Sequence, residues 1–564
     1  QSLRVSDCNV NDLTVAVAQA GPDSDAATVT DALVFEVHAN DPNWGSDNGD
    51  GIKQVDMSIL AANDAVMYSR SQVTPISSLP LVYCVFGSYY QCGAWVFKDN
   101  NNLWPNGQPI QNGAHTLQVV VTGHDGNTKT ITKAIDIQLQ PPDTTTPPPL
   151  ALQIPTLPAV SAGSAHTCAV TTSGQVYCWG GNAAGQLGTG DRTDRQTPVA
   201  IPDLAGNAGA VSAGGNRTCV LLNSGEMRCY GADGAVSLAG IAAFSSGDGH
   251  SCALTTTGGV KCWGENEDGQ LGNGTYTFSA TPVDVQGLAN SVAAISAGGS
   301  HTCALINNGG VKCWGYNIYG QLGNGTFAAS NTPKDVFGVA RGAVEIAAGS
   351  GHTCIRTDGG EVRCWGANYA GQLGSDVSTY RSLPATVPGL AGVEAIEVGD
   401  THTCAIVAGG VKCWGGNSDG QVGDGAQTDR PAPVDVQGLA NGVRAISAGG
   451  RHTCAITTGN ALYCWGGNQN GQLGNGLNGV NLLPADVSGL TSGVVGVDAG
   501  ANHTCAAMSD GSAKCWGQNA NGKLGNGVQS NSMFPAPVQQ LTMSATNPSI
   551  SAGSDFTCAR ASNG

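Results

Sequence analysis

One short text recurs along this chain and dictates its architecture. HTCALINNGGVKCWGYNIYGQLGNGT, residues 301 to 326, is one copy. The first Cys of the unit stands at 168, 219, 252, 303, 354, 404, 454 and 505, and once more at 558. The steps between them are 51, 33, 51, 51, 50, 50, 51 and 53 residues. Each unit reads as short strands: a small-residue segment such as EIAAG, then HTCAL, a Gly/Asn turn, VKCWG, a Gly-rich loop and an extended TPxxV segment. Alternation with turn punctuation is an all-β signal, and no long stretch of 3.6-residue periodicity competes with it. About four strands in a period near 50 make one propeller blade. A blade buries its faces only against its neighbours, so the ring is stable only when assembled.

Composition agrees and excludes some partners. The chain has 564 residues, of which 83 are Gly and 12% are charged, which suits tight turns that need positive φ. Its formal net charge of −17, with no basic run to offset it, repels nucleic acid and anionic membrane surfaces. No apolar run approaches the ~18 residues of a membrane-spanning helix. Twenty regularly spaced Cys favour an oxidising compartment, so the expected location is extracellular or on a cell surface. A chain beginning at Gln1 fits either a mature form after cleavage or a recombinant fragment.

HTCAL, VKCWG, N-x-x-GQLG and the Gly that follows resemble the repeat of the regulator of chromosome condensation family, over roughly residues 155 to 564. The resemblance implies a β-propeller, commonly of seven blades. Members include a nuclear exchange factor for a small GTPase, a plant ultraviolet-B receptor and a bacterial β-lactamase-inhibitor protein. What they share is protein binding on a ring-shaped surface, not one chemistry. This sequence departs from the pattern in three units. Unit two, NRTCVLLNSGEMRCYGADG, has Tyr230 for Trp and lacks the GQLG loop; unit six sets Cys404 and Cys413 nine apart; unit nine stops after one Cys. The blade number stays open between seven and eight.

The paired Cys admit two chemistries. His301, Cys303 and Cys313 are ligand types that hold zinc. Facing positions on paired strands also bring two Cys within disulfide reach. Unit six loses its residue from the turn, which preserves such facing. Spacing and compartment favour disulfides Cys168–Cys178, Cys219–Cys229, Cys252–Cys262, Cys303–Cys313, Cys354–Cys364, Cys404–Cys413, Cys454–Cys464 and Cys505–Cys515. Seven repeat His (166, 250, 301, 352, 402, 452, 503) read as inter-blade hydrogen bonders, since a catalytic base occurs once per site. The repeat Trp read as packing residues, and GQLGNG lacks the helix start or Lys of a phosphate loop. No G-x-S-x-G, H-E-x-x-H or P-loop is present, so no catalytic residue or cofactor is expected.

Residues 1–140 lack the repeat. ALVFEVHAND, IKQVDMSIL, AWVFKD, HTLQVVVTGHD and ITKAIDIQLQ alternate as half-buried strands of a β-sandwich. GAHTLQVVVTGHDGNTKT resembles the final hairpin of bacterial immunoglobulin-like modules. Cys84 and Cys92 are expected to close a loop, and the Pro/Thr-rich residues 141–154 to form a linker before the propeller of 155–564. DPNWGSDNGDGIKQVD offers Asp47, Asn48 and Asp50 to calcium but lacks the Glu of an EF-hand loop, and reads equally as an Asx-rich turn.

Cys8 and Cys558 remain. Unit nine supplies a first Cys strand without its partner, and SLRVSDCNV is a short extended segment able to cover the edge expected there. Between molecules this is strand donation sealed by a Cys8–Cys558 disulfide, which propagates head to tail into a homopolymer. Within one molecule it closes the ring, and a chain cut short explains the odd Cys equally. Two functions follow: a non-enzymatic extracellular structural or binding protein, self-assembling in a filament or matrix, or a soluble propeller that binds or inhibits one partner protein.

Overall fold

The computed structural model describes residues 160–541, apart from 164, 172, 205, 233, 376–378 and 540, together with the backbone of strands between residues 14 and 137. Two compact units divide the chain, one made chiefly of residues 1–146 and one that begins at Pro147.

In the second unit, eight four-stranded antiparallel sheets follow one another in chain order, which sets the number of blades at eight. Blade 4 is typical: Val292–Ala297, His301–Ile306, Val311–Gly315 and Ser330–Asp335. Its second strand is buried at five successive residues, because neighbouring blades cover both faces of the sheet. Its outer strand, at the rim, is half-exposed. Blade 2 is complete despite its 33-residue step; its outer strand shrinks to Val236–Leu238 and the Gly-rich loop is absent.

Each blade carries one disulfide joining its second and third strands. Cys303 and Cys313 are direct register partners with Cα atoms 4.1 Å apart, close to the spacing of a narrow antiparallel pair. Blade 6 keeps this register because its missing residue comes from the turn. There Val407 pairs with Gly410 across Ala408 and Gly409, both at positive φ (50° and 71°), the geometry of a tight two-residue hairpin.

The ring closes between blade 8 (Val494–Ala499, His503–Met508, Ala513–Gly517, Ser532–Pro537) and blade 1 (Val160–Ala162, His166–Val170, Val176–Gly180, Arg195–Ala200). Ala169 and Trp179 pack with Cys505, Cys515, Leu524 and Val538 across that junction. An open edge was expected at the carboxy-terminal end because unit nine is incomplete. Eight full blades instead close the ring by residue 541, so neither unit nine nor an amino-terminal strand is needed. Cys8 and Cys558 lie outside the described residues.

The first unit contains a five-stranded sheet ordered Ala27–Val29, Thr128–Ile137, Gly113–Gly123, Ile52–Ala61, Val66–Val73, and a three-stranded sheet ordered Thr14–Val17, Phe35–Ala39, Leu81–Cys84. Gly113–Gly123 and Thr128–Ile137 form a long antiparallel hairpin. The calcium candidates Asp47, Asn48 and Asp50 lie outside the described residues, as do the side chains of Cys84 and Cys92. Among the described residues no helix is long and apolar enough to cross a membrane.

Candidate protein-binding surface

The blades are joined by a repeated relay of polar groups. At the junction of blades 3 and 4, His250 Nε2 lies 2.7 Å from Thr302 Oγ1, and Thr302 donates to the Gln270 carbonyl at 3.1 Å. Trp314 Nε1 donates to the same carbonyl at 2.9 Å. Because the Thr hydroxyl spends its proton on Gln270, it accepts from the imidazole, which fixes the neutral Nε2–H tautomer. His–Thr contacts recur through His166, His301, His352, His402 and His452, and His503 meets Thr167 of blade 1 at 3.3 Å, so that seven of the eight junctions carry one.

Burial sets the charge state of these rings. All seven His are fully buried. Desolvation lowers the pKa of His166, His301 and His402 to about 4 and of His250, His352 and His452 to about 3. His503 is pushed well down for the same reason. The repeat His are structural links held neutral, and the seven repeat Trp are fully buried packing residues. Among the described residues no group of three or more His, Cys, Asp or Glu is placed to hold a metal ion.

The GQLGNG segments fold as turns pinned by the preceding Asn. Asn317 Oδ1 accepts from the Leu322 N–H at 2.9 Å while its amide donates to the Ala328 carbonyl. These turns set rim side chains outward. The backbone of Gly476 in blade 7 bonds to Met533 of blade 8 at 2.9 Å, and the ring of Phe534 covers that glycine. Leu483 of blade 7 covers Gly425 of blade 6 in the same way. Leu477, Val480, Leu483, Val528, Met533 and Phe534 are exposed, Leu477 by 63% and Phe534 by 54%. No charged residue occurs in 473–485 or 524–541. In blades 3, 4 and 6 a Lys on the third strand pairs with an Asp at the end of the outer strand (Lys261–Asp284, Lys312–Asp335 and Lys412–Asp435), whereas in blade 7 the same outer-strand position, Asp486, faces Tyr463. In blade 8 the residue facing Lys514 is Pro537. Blades 7 and 8 therefore present exposed apolar side chains over residues 473–485 and 524–541, bounded in blade 7 by exposed Asp486, while blade 3 exposes Tyr276 and Phe278.

Three residues escaped the sequence analysis because each is visible only against the repeat. Arg217 stands where other blades have His and donates to the Gly249 carbonyl at 2.8 Å. Lys523 stands where other turns have Gln; it is buried, bonds Gln518, and its pKa falls to about 8 through desolvation. Glu397 occupies an innermost-strand position that is Ser in blades 1, 2, 3, 4 and 7. Burial, with Glu345 and Asp498 nearby, holds its carboxyl well above the usual range. Aligning the repeats and marking departures would have found all three.

Eight stapled blades joined by buried inter-blade bonds, with varied side chains exposed at the rim, define a binding scaffold of the β-propeller class. The RCC1-like domain model matches residues 232–559, and the regulator of chromosome condensation (RCC1) repeat model matches 159–186 and 173–221. The chain belongs to the RCC1 repeat family. It is 30% identical over 410 residues to the Ultraviolet-B receptor UVR8 of Arabidopsis thaliana, covering 71% of this chain and 84% of the receptor. It is 31% identical over 262 residues to the E3 ubiquitin-protein ligase HERC2 of Homo sapiens, covering 45% of this chain but only 5% of the ligase. The fold is shared with yeast RCC1 (Prp20) in its crystal structure with Kap60: TM-score 0.52, 21% identity, 75% of this chain and 95% of the other. Human WBSCR16 matches with TM-score 0.51 and 23% identity over 69% of this chain and 99% of its own.

Proposed function

We propose that this protein is a non-enzymatic extracellular or cell-surface propeller that binds a partner protein through the outer faces of blades 7 and 8. The observation that carries the reading is the uncharged strip centred on Leu477 and Phe534, since contiguous exposed apolar surface marks interaction sites. Pairing of all sixteen described Cys within their own blades supports an oxidising compartment. Residues 1–140 serve as an immunoglobulin-like β-sandwich, joined through linker 141–154 to the propeller of 155–564. The reading is tested by displaying the protein on source cells and substituting Leu477→Asp and Phe534→Asp together. Loss of a binding partner at unchanged melting temperature supports it, and unaltered binding rejects it.

A second reading, self-association into a head-to-tail filament, rests on the Cys arithmetic. With eight blade disulfides and an expected Cys84–Cys92 pair, Cys8 and Cys558 are left for a bond between molecules. Non-reducing electrophoresis with peptide mapping tests it: a ladder that collapses on reduction and yields a Cys8–Cys558 peptide supports it, and a free thiol on either rejects it.

A further inference from the structure

The rim turn of blade 7 is tied down less than its counterparts. In blades 1, 6 and 8 the Asn that pins the Gly-rich turn makes two further bonds. Its backbone N–H donates to a side chain twelve residues on, Asp194, Asp429 or Asn531, at 2.8–2.9 Å. Its amide donates to the carbonyl eleven residues on, Thr193, Thr428 or Ser530, at 2.9–3.1 Å. In blade 7 this Asn is Asn468, whose amide reaches Asn475 Oδ1 at 3.2 Å and the Leu477 carbonyl at 2.9 Å. Twelve residues on stands Val480, which has no side-chain acceptor. No bond to Gly479, eleven residues on, is found among the described residues.

The untied segment contains the pair Asn478–Gly479. Asn before Gly deamidates spontaneously, because no side chain on Gly hinders attack by its backbone nitrogen on the Asn side-chain carbonyl. A Gly N–H that already donates a hydrogen bond must first break it. Nine Asn–Gly pairs occur within residues 160–541. In six of them the Gly N–H is so engaged, at 2.8–3.0 Å: Gly274, Gly309, Gly471, Gly476, Gly522 and Gly527. Gly325 is buried, and Gly442 is held through its carbonyl by the Thr458 N–H at 2.7 Å. Asn478–Gly479 is the one pair with both residues exposed, and no hydrogen bond of either is found among the described residues. It lies between the exposed side chains of Leu477 and Val480.

We infer that Asn478 is a spontaneous modification site that inactivates the apolar surface of blades 7 and 8 as the protein ages. The Gly479 nitrogen bonds to Asn478 Cγ and gives up its proton; the Cγ–Nδ2 bond breaks and ammonia leaves with that proton. Water then opens the succinimide ring at either carbonyl, giving isoaspartate or aspartate. Either product sets a carboxylate between Leu477 and Val480, where an apolar partner would have to desolvate it. The loss of binding rests on the surface proposed above, whereas the modification itself does not.

The full chain is aged at neutral pH in 18O-labelled water and digested in ordinary water, so label marks only carboxylates formed in the folded protein. Peptide mapping should find labelled isoaspartate at Asn478 about tenfold faster than where the Gly N–H is bonded, the effect of one such bond on a barrier. Val480→Asn leaves Asn478–Gly479 intact but supplies the acceptor that Asn531 provides in blade 8, and should slow labelling to the rate of the bonded pairs. Equal rates at all pairs, or no slowing in Val480→Asn, overturns the proposal. The consequence is read on source cells, where Asn478→Asp should weaken partner binding about tenfold. Normal binding by Asn478→Asp, with binding lost in the Leu477→Asp, Phe534→Asp pair, overturns the inactivation and leaves the surface standing. If neither loses binding, the surface is rejected and the inactivation with it.

Discussion

His301 Nε2 lies 2.8 Å from Thr353 Oγ1, a residue of the next blade 52 positions along the chain. Thr353 passes its own proton to the Gln321 carbonyl at 3.2 Å, back in the blade of His301. Sequence repeats are thus converted into His–Thr links at seven of the eight blade junctions, with Arg217 bridging the eighth to Gly249, and each link joins residues that only ring assembly brings together.

Thr353→Val removes the centre of one such relay and leaves the buried His301 N–H without an acceptor. The expected cost is about 1–3 kcal/mol, whereas Thr353→Ser, which keeps the hydroxyl, costs under about 1 kcal/mol. Chemical denaturation of both variants makes the comparison, and equal losses contradict the relay.

Acid weakens the ring. The seven repeat His protonate near pH 6.5 once unfolded, but burial keeps six of them neutral down to about pH 4 or 3 in the fold and pushes His503 well down in the same direction. The unfolded chain therefore holds more protons between pH 6.5 and about 4, and stability falls as pH falls through that window. Glu397 runs the other way, since its raised pKa lets the native state keep a proton that the unfolded carboxylate releases. Near pH 5.5 unfolding should take up about five protons, net of Glu397. Stability measured from pH 6 to 5 gives this number as a slope, and a slope of one or two protons in that window contradicts neutral buried imidazoles.

Lys523 is a cost at the closing junction. Its pKa drops from 10.5 to about 8 on burial, so the penalty is complete below pH 8 and vanishes as pH rises toward 10.5. Lys523→Gln restores the residue found at Gln270, Gln321 and Gln472 and keeps the carbonyl that Trp179 and Thr167 use. It should stabilise the protein by about 2 kcal/mol at pH 7, with less gain at pH 10. A gain that does not change with pH would assign the effect to packing.

Removing one staple weakens one blade without opening the ring. The Cys303–Cys313 bridge closes a short loop, so replacing both residues by Ala should cost about 3 kcal/mol. Blade 4 should lose protection from hydrogen exchange before blades 1 and 8 do. Uniform loss across all blades would show that the ring unfolds only as a whole.

The repeat text carried most of the fold. Strands, hairpins and facing cysteines are local, and their spacing is visible in HTCAL and VKCWG. Blade number was not legible, because unit two lacks its loop yet still forms four strands, and unit nine lies beyond an already closed ring. The partners of His166 and His503 were hidden by sequence distance. His503 bonds Thr167, 336 residues away, and no local pattern encodes that closure. Surface function was the least legible, since Phe534 and Leu477 become neighbours only when Gly476 pairs with the next blade.

Site-specific photocrosslinking on source cells tests the binding account most directly, with a photoreactive residue placed in turn at Leu477, Phe534 and Tyr369. Tyr369 is an exposed aromatic on blade 5 and serves as the control. The account predicts one discrete protein adduct from positions 477 and 534 and none from 369. Equal labelling from all three positions, or no adduct from 477 and 534, contradicts a partner-binding strip on blades 7 and 8.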